Sequence, residues 1–377
     1  MFEEAVWVES KNKDFILRVV TTVPAIGAFQ CKDLFERKEL LESLQNEKFD
    51  LAIAQPMQLC PYIFFDQLGI STVISASSTI TMEPIRSSLG EPDDYNYVPA
   101  TMAKMAEVSS WTETILNYLH NTAGGWYFEY SFSEEVDAVK DLVPDLKSWR
   151  DYMGNVAFAF VNSNPYLDYP RPYLPKSVPV GGMQVETEKI GLSKEWDEIL
   201  SKRKTNVLIS FGSNAHSSKM PDEFKKGFRE VFTSMPETTF IWKYEEPNPT
   251  LVGDLPNVHL TVWMPQNALL ADPRLNLFVT HGGLGSSMEL AYIGVPAVVI
   301  PLMADQFRNG HMLARHGGAK ILNKQDLAHG DVIRAAVKEI LETPSYKKNA
   351  EKLAQVLRDQ PLSPKESVLK HCNFAVK

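Results

Sequence analysis

The feature that most constrains the fold is an alternation of strand-like and helix-like segments in the second half of the chain. Apolar, strand-length runs are predicted at 206–211, 238–243, 258–262, 275–280 and 297–301. Helical patterns are predicted at 224–234, 266–271, 284–293, 306–316, 330–342 and 345–358. This alternation is typical of a doubly wound α/β fold with a parallel sheet, which binds ligands at the carboxyl ends of its strands.

The first half shows the same alternation less clearly. Strands are predicted at 15–20, 51–54, 72–75 and 155–161, and helices at 32–46 and 111–119. The stretch 89–100 is rich in Pro, Asp, Asn and Tyr, which predicts a loop of the kind that builds acceptor pockets.

A proline-rich stretch, 162–179, separates the two halves and predicts an extended segment, because proline blocks both helices and sheet ladders. We therefore expect an N-terminal domain over 1–180, a linker over 181–204 and a C-terminal domain over 205–377.

Composition argues against some classes of protein. The net charge of -9 argues against a nucleic-acid binder. Cys31, Cys60 and Cys372 lie far apart, so neither a zinc site nor a disulfide framework is predicted, although one disulfide is compatible with the sequence. The acidic start does not resemble a signal peptide, and no apolar run reaches the ~18 residues of a membrane span, so the chain as given is predicted to be soluble.

A glycine-rich turn follows the predicted strand 275–280. It reads His281-Gly-Gly-Leu-Gly-Ser-Ser-Met-Glu289 and contains Gly282, Gly283 and Gly285. Small residues let the backbone approach a ligand, and free N–H groups at a helix start favour an anion. The turn is therefore a candidate diphosphate cradle, and a tight turn beside a packed histidine is the ordinary alternative.

Two rival phosphate motifs can be compared directly with this turn. The dinucleotide fingerprint GxGxxG starting at Gly283 would have Met288 where its third glycine belongs. Asp305 lies as far along the sequence from this turn as the ribose-binding acid of the fingerprint does. The sequence pattern of an NAD site is therefore incomplete rather than excluded. The GxxxxGK[ST] loop is absent from the sequence.

Three other predicted strand ends carry groups that suit a ligand. Trp263 could stack on a base, Asp305 and Gln306 could bind sugar hydroxyls, and the turn from Ser210 to Ser213 could approach a phosphate. Each has an ordinary explanation as a core residue, a helix cap or a βα turn. Together they predict a nucleotide-sugar site.

These residues lie within a longer resemblance. WMPQNALLADPRLNLFVTHGGLGSSMELAYIGVPAVVIPLMADQ, at 263–306, is similar to the defining motif of the UDP-glycosyltransferases. KFDLAIAQPMQLCPYI, FVNSNPYLDYPRPYLPKSVPVGG, VLISFGS and ETPSYKKNAEKLAQVLRDQPLSP resemble UDP-glucuronosyltransferases, invertebrate members above all. The resemblance covers essentially the whole chain, which would then lack both ends of the family's pattern.

The resemblance implies a GT-B fold, in which two Rossmann-like doubly wound domains face across a cleft. The N-terminal domain would bind a small lipophilic acceptor and the C-terminal domain a UDP-sugar, either UDP-glucuronate or UDP-glucose, with no metal. The family also implies a detoxification role at the endoplasmic reticulum membrane and homo- or hetero-oligomers with other members.

The resemblance assigns a role to each donor-site residue. Trp263 would stack on uracil, Gln266 would lie beside the uridine, and Glu289 would bind the ribose hydroxyls. The diphosphate would be held by His281, Gly282, Gly283, Gly285 and Ser286, with Ser210, Gly212 and Ser213 nearby.

The remaining donor-site residues include two departures from vertebrate members. Asp305 and Gln306 would bind the transferred sugar. Lys243 stands where vertebrate members often have Arg, and Gly285 replaces a common Asn.

The family reaction is a single displacement with inversion, in which a histidine held by a carboxylate removes the acceptor proton. No histidine precedes His120, so we expect the base to lie in a segment that this chain lacks. Gln55 stands where an acidic partner is usual, and loss of that carboxylate could slow transfer by up to ~10⁴-fold. We expect donor binding to be kept, with transferase activity in question.

Two other functions remain open. One is a non-catalytic UDP-sugar-binding paralogue that pairs with active members, which Gln55 favours. The other is an NAD-dependent Rossmann enzyme, which the incomplete fingerprint disfavours.

Overall fold

The chain forms two compact units in a computed structural model that describes residues 6–7, 13–186, 191–246, 249–253 and 255–377. The first unit comprises residues 6–7, 102–106 and 184–361, and the second comprises 13–101, 107–183 and 362–377. This division differs from the predicted domains, because residues 102–106 cluster with the C-terminal half and residues 362–377 with the N-terminal half.

The first unit contains a six-stranded parallel sheet. Its strands are β5 (Thr205–Ser210), β6 (Thr238–Lys243), β7 (Val258–Thr261), β8 (Leu275–Thr280), β9 (Ala297–Val299) and β10 (Ala319–Ile321). They lie in the order β10-β9-β8-β5-β6-β7. The order reverses between β5 and β8, which is the switch point of a Rossmann-type sheet.

Helices connect these strands. They are α7 (Lys194–Ser201), α8 (Asp222–Ser234), α9 (Pro249–Val252), α10 (Gln266–Ala271), α11 (Leu284–Ile293), α12 (Gln306–Ala314), α13 (Gly330–Glu342) and α14 (Pro344–Arg358). Helices α8 and α13 pack against each other, and α11 packs against α14. The strands β5, β6, β8 and β9 are almost entirely buried, as expected of parallel strands covered by helices.

The second unit contains a smaller parallel sheet in the order β1-β2-β3-β4. Its strands are β1 (Ala52–Ala54), β2 (Val73–Ser77), β3 (Phe158–Val161) and β4 (Ser177–Pro179). Its helices are α1 (Lys13–Glu36), α2 (Lys38–Glu47), α3 (Cys60–Gln67), α4 (Glu83–Leu89), α5 (Trp111–Val139), α6 (Trp149–Gly154) and α15 (Pro364–Ala375). β4 lies at the sheet edge, where Pro179 removes no inner ladder hydrogen bond.

One predicted strand is wrong. Residues 15–20 lie inside helix α1, which packs along α5. The β-branched residues of that run favour a strand, but strand preference depends on context and yields to tertiary packing. The other predicted strands correspond to observed strands with ends shifted by up to three residues.

Helix α3 is fixed by a buried carboxylate and by a disulfide. Glu135, 1% exposed, accepts hydrogen bonds from the backbone N–H groups of Leu59 (2.9 Å) and Cys60 (2.7 Å) at the helix start. Burial raises the pKa of Glu135 to about 7, against the opposing effect of these two hydrogen bonds. Cys60 forms a disulfide with Cys31 of α1, so the pairing that the sequence left open is resolved.

No helix within the described ranges combines the length and the apolar character that crossing a bilayer requires.

The disulfide closes a loop between residues 29 positions apart, which restricts the unfolded chain. We expect Cys31→Ser with Cys60→Ser to lower the free energy of unfolding of the second unit by about 2–4 kcal/mol, measured by urea denaturation under oxidising conditions. Cys372→Ser is the matched control, since Cys372 is a free thiol. Equal midpoints for the double variant and the control would show that the bridge adds no stability.

Candidate functional site

The candidate site lies at the carboxyl ends of β5 and β8, where the strand order reverses. The parallel register pairs Ser210, the last residue of β5, with Thr280, the last residue of β8. The turns that follow these two residues therefore begin side by side. An open parallel sheet places its ligand crevice at such a point.

A pocket of about 450 Å³ opens beside these turns. Eight of the predicted donor-site residues line it: Ser210, Gly212, Ser213, Lys243, Trp263, Gln266, Ser286 and Glu289. They come from four separate segments of the chain, so the sheet brings together residues that the sequence separates. The volume is within the usual range for small-molecule sites.

His281 packs against two glycines. A Cβ atom added to Gly212 would lie 2.7 Å from His281 Cε1, and one added to Gly283 would lie 2.6 Å from His281 Nε2. Gly212 also has a φ of +83°, a conformation that side chains rarely adopt. The two turns meet across the imidazole ring because neither carries a side chain there.

The environment of His281 keeps its imidazole neutral. Burial, and secondarily the charge of Lys243, lowers the pKa of His281 to about 4. Its Nδ1 atom is buried and has no hydrogen-bond partner among the described residues. A buried polar atom without a partner is costly, so this nitrogen is suited to meeting a ligand.

Lys243 and Trp263 form another wall of the pocket. Lys243 Nζ donates to the carbonyl oxygen of Gly212 at 2.7 Å and lies 5.7 Å from the centre of the Trp263 ring. The Trp263 side chain is 72% exposed, so its flat face is open to solvent rather than packed in the core. The pocket thus offers an exposed aromatic face beside a cation.

Three polar side chains connect α10 to α11. Gln266 Nε2 donates to Ser286 Oγ at 2.9 Å and to Glu289 Oε2. Burial raises the pKa of Glu289, whereas the hydrogen bond from Gln266 lowers it. The arrangement presents a carboxylate and a hydroxyl on one wall, both able to accept from ligand hydroxyl groups.

Helix α11 begins at this wall without a side-chain cap. Its N-cap is Gly283, which has no side chain to bind the first N–H groups of the helix. Those groups lack intrahelical partners and carry the positive end of the helix dipole. The start of α11 therefore favours an anion.

Asp305 and Gln306 do not line the pocket but are linked to the glycine-rich turn. Asn309 Nδ2 donates to the carbonyl oxygen of Gly282 (3.1 Å) and to Asp305 Oδ2 (2.9 Å). Gln306 Oε1 accepts hydrogen bonds from the backbone N–H groups of Leu302 and Met303, in the loop that precedes α12. Burial is the main cause of a raised pKa at Asp305.

Gln55 belongs to the second unit and follows β1. It is exposed, and its Nε2 donates to Ser78 Oγ at 2.9 Å. Ser78 follows β2, so Gln55 lies at the carboxyl edge of the smaller sheet.

Sequence reasoning missed five residues of this site. Four of them line the pocket: Met264, Pro265, Asn267 and Ala268. They flank predicted residues, so proximity alone could have indicated them. The fifth, Asn309, lies four residues after Asp305, a spacing that places two side chains on the same helix face.

Three side chains of types that can bind metal ions lie close together in the second unit. Cys31, Cys60 and Glu135 bring three ligand atoms within 4.8 Å of one another in the second unit. The two sulfurs are joined in the disulfide, so they are not thiolate ligands in this structure.

The chain is similar to a known family over nearly its whole length. The family model described as "UDP-glucoronosyl and UDP-glucosyl transferase" matches residues 3–376. UDP-glucuronosyltransferase 3A1 of Bos taurus is 30% identical over 359 residues, covering 92% of this chain and 66% of the relative. UDP-glucuronosyltransferase 2C1 of Oryctolagus cuniculus is 28% identical over 348 residues, covering 92% and 68%.

A Caenorhabditis elegans relative, ugt-48, is 29% identical over 362 residues and is covered to 67% of its length. The chain therefore spans about two thirds of the length of these relatives.

Solved structures show the same fold. A Phytolacca americana protein, UGT2, complexed with UDP-2fluoro-glucose and pterostilbene, aligns with a TM-score of 0.64 at 18% identity, covering 95% of this chain and 82% of that one. The glycotransferase of kitacinnamycin aligns with a TM-score of 0.66 at 18% identity, covering 98% and 85%. The predicted α/β fold of the GT-B class is confirmed.

The packing around His281 gives a direct test of the turn. We expect Gly283→Ala to destabilise the first unit by about 1–3 kcal/mol, because the new methyl group forces the imidazole to move. Gly285→Ala is the matched control, since a Cβ there meets no atom within 4 Å and Ala is favoured over Gly in a helix. Urea denaturation measures both, and equal losses would contradict the packing.

Proposed function

This chain belongs to the UDP-glucuronosyl and UDP-glucosyl transferase family, and on that basis we propose that its first unit binds a UDP-sugar at the β5/β8 switch point. The protein would transfer the hexosyl or glucuronosyl group to a hydroxyl of a small lipophilic acceptor, with inversion. The observation that carries the proposal is the pocket of eight donor-site residues drawn from separate parts of the chain.

The uridine would lie against Trp263 and Glu289. The exposed indole face suits a base, since stacking contributes about 1–3 kcal/mol per base. The Glu289 carboxylate can accept from ribose hydroxyls, and Gln266 holds it in place.

The diphosphate would lie at the start of α11. The uncapped N–H groups there, the hydroxyls of Ser213 and Ser286, and the unpartnered Nδ1 of His281 all suit phosphate oxygens. A neutral imidazole can donate one hydrogen bond, and Lys243 supplies nearby positive charge. We propose that these groups stabilise the departing UDP without a metal ion.

The sugar would lie toward Asp305 and Gln306. The support is the contact of Asn309 with both Asp305 and Gly282, which fixes that carboxylate relative to the glycine-rich turn. Either UDP-glucose or UDP-glucuronate is compatible with these groups. By the same resemblance, we propose that the protein acts at the endoplasmic reticulum membrane and forms oligomers with other family members.

A second candidate function is a UDP-sugar-binding paralogue without transferase activity. Gln55 favours it, because a carboxamide can orient an imidazole but cannot offset the charge of an imidazolium. Its hydrogen bond to Ser78 is compatible with either function.

The donor site predicts the effect of removing the indole. We expect Trp263→Ala to weaken UDP binding about tenfold or more through loss of stacking, measured by calorimetry. Val262→Ala is the matched control, because Val262 is the exposed neighbour and does not line the pocket. NAD is titrated in parallel, and binding of NAD as tight as that of UDP would favour a dinucleotide enzyme instead.

Position 55 distinguishes the two candidate functions. We expect Gln55→Asp to increase the rate of sugar transfer from UDP-glucose or UDP-glucuronate to a phenol by up to ~10⁴-fold in a chimera that carries, ahead of this chain, the histidine-bearing N-terminal segment of an active relative, because a carboxylate at position 55 would support that base. Gln58→Asp, an exposed glutamine three residues away, controls for added negative charge. UDP binding without product from the chimera, with or without Gln55→Asp, would favour the non-catalytic paralogue.

A further inference from the structure

A second pocket, of about 500 Å³, lies within the second unit. Its walls come from α4, from the irregular segment that follows α4, from the middle of α5 and from the start of α6. Neither Gln55 nor any predicted donor-site residue is among its lining residues. Its volume is within the range of small-molecule sites, and the proposed transferase function assigns nothing to it.

The charged side chains around this pocket are mainly acidic. Glu83, Asp93 and Glu129 contribute three carboxylates, against the single guanidinium of Arg150. Three negative charges and one positive charge leave a formal charge of −2 in the lining. The potential in the pocket therefore favours a cation.

The same walls carry aromatic rings. Tyr95 and Tyr118 meet edge to face with ring centres 6.0 Å apart, and Trp126 and Trp149 also line the pocket. Trp126 stacks on Tyr130 with ring centres 5.9 Å apart and is 63% exposed, so the rest of its ring is accessible to a ligand. Aromatic faces attract cations through the ring quadrupole.

Arg150 shows that this wall accommodates a cation. Its guanidinium carbon lies 4.3 Å from the centre of the Trp149 ring, and its Nη2 atom lies 2.7 Å from Glu129 Oε2. An aromatic face and a carboxylate thus bind a positive group of the chain itself. Trp126 and Asp93, which also line the pocket, offer a ligand cation the same two kinds of group.

A buried acceptor in the wall independently indicates a ligand. Asn121 is 5% exposed, and its Oδ1 has no hydrogen-bond partner among the described residues. Its Nδ2 donates to the carbonyl oxygen of Asn117 at 2.7 Å, which fixes the carboxamide. Because an unpaired buried acceptor is costly, Asn121 is suited to an N–H donor of a ligand.

The segment that supplies Asp93 and Tyr95 is held rigidly. Arg86, buried below it, forms ion pairs with Glu91 (2.8 Å) and Asp94 (2.9 Å), on either side of Asp93. Asn117 of α5 donates to the carbonyl oxygens of Tyr95 and Val98 and accepts from the N–H of Ala100. The pocket is thus formed before a ligand arrives, which lowers the entropic cost of binding.

We propose that this pocket binds a small organic ammonium ion that carries an aromatic or alkyl group. The ammonium would lie among the carboxylates and donate to Asn121, and the apolar group would contact Trp126 and Tyr118. The proposal does not depend on UDP-sugar binding, because its residues are all in the second unit.

The test uses the full chain and two probes that differ in charge. 2-Phenylethylammonium and the neutral 2-phenylethanol are titrated separately at pH 7 by calorimetry. We expect saturable one-to-one binding of the ammonium. The alcohol should bind at least about tenfold more weakly. Equal affinities, or no saturable binding of the ammonium, would overturn the proposal.

Two variants locate the site. We expect Asp93→Asn, which keeps the shape but removes a charge, and Trp126→Leu each to weaken ammonium binding about fivefold or more. Asp137→Asn and Trp111→Leu are matched controls, since both residues are exposed on α5 and neither lines the pocket. Losses as large in the controls as in the two variants would contradict the assignment.

UDP affinity is measured on the same samples. It should be unchanged in all four variants, so that failure of the ammonium site and failure of the UDP-sugar site are separate results. Thermal unfolding of each variant identifies any that has lost its fold.

Discussion

The pairing of β5 with β8 is the constraint on which the candidate donor site depends. These strands are distant in sequence but adjacent in the sheet, and their register ends with Ser210 beside Thr280. The next residues of both strands must then share a narrow space. His281 occupies it, and glycine at 212 and 283 is the only residue type that leaves room for its ring. The pocket beside it is therefore a consequence of strand order and close packing together.

The two pockets differ in electrostatic character. In the first unit, the charges of Lys243 and Glu289 cancel formally in the pocket lining, while a neutral histidine and an uncapped helix start offer hydrogen-bond donors. In the second unit, three carboxylates and several aromatic rings surround a single guanidinium. The chain as a whole is acidic, with a net charge of -9, so an anion site requires this local concentration of donors. The fold thus separates two chemistries that the overall composition does not distinguish.

The sequence predicted the first unit better than the second, for physical reasons. Continuous apolar strands such as β8 and glycine-rich turns are local features, so their positions are visible in the sequence. The strand order was not predicted and is known only from the structure, and the placement of Asn309 needed the helix geometry of α12. In the second unit, residues 15–20 lie in helix α1, which packs along α5, and the Cys31–Cys60 bridge depends on how α1 meets α3. Long-range contacts of this kind leave no local pattern in one sequence.

The chain passes between its two units five times, since residues 6–7, 102–106 and 184–361 belong to one unit and the intervening and final segments to the other. Neither unit is thus a single continuous piece of polypeptide. A chimera that exchanged the first unit with that of a relative would have to carry residues 6–7 and 102–106 along and leave helix α15 with its recipient. Recombination at one breakpoint in the proline-rich region would instead separate Val6 and Trp7 from the core of the first unit, and helix α15 from the cluster around Phe160 in the second, which favours inheritance of the two units together.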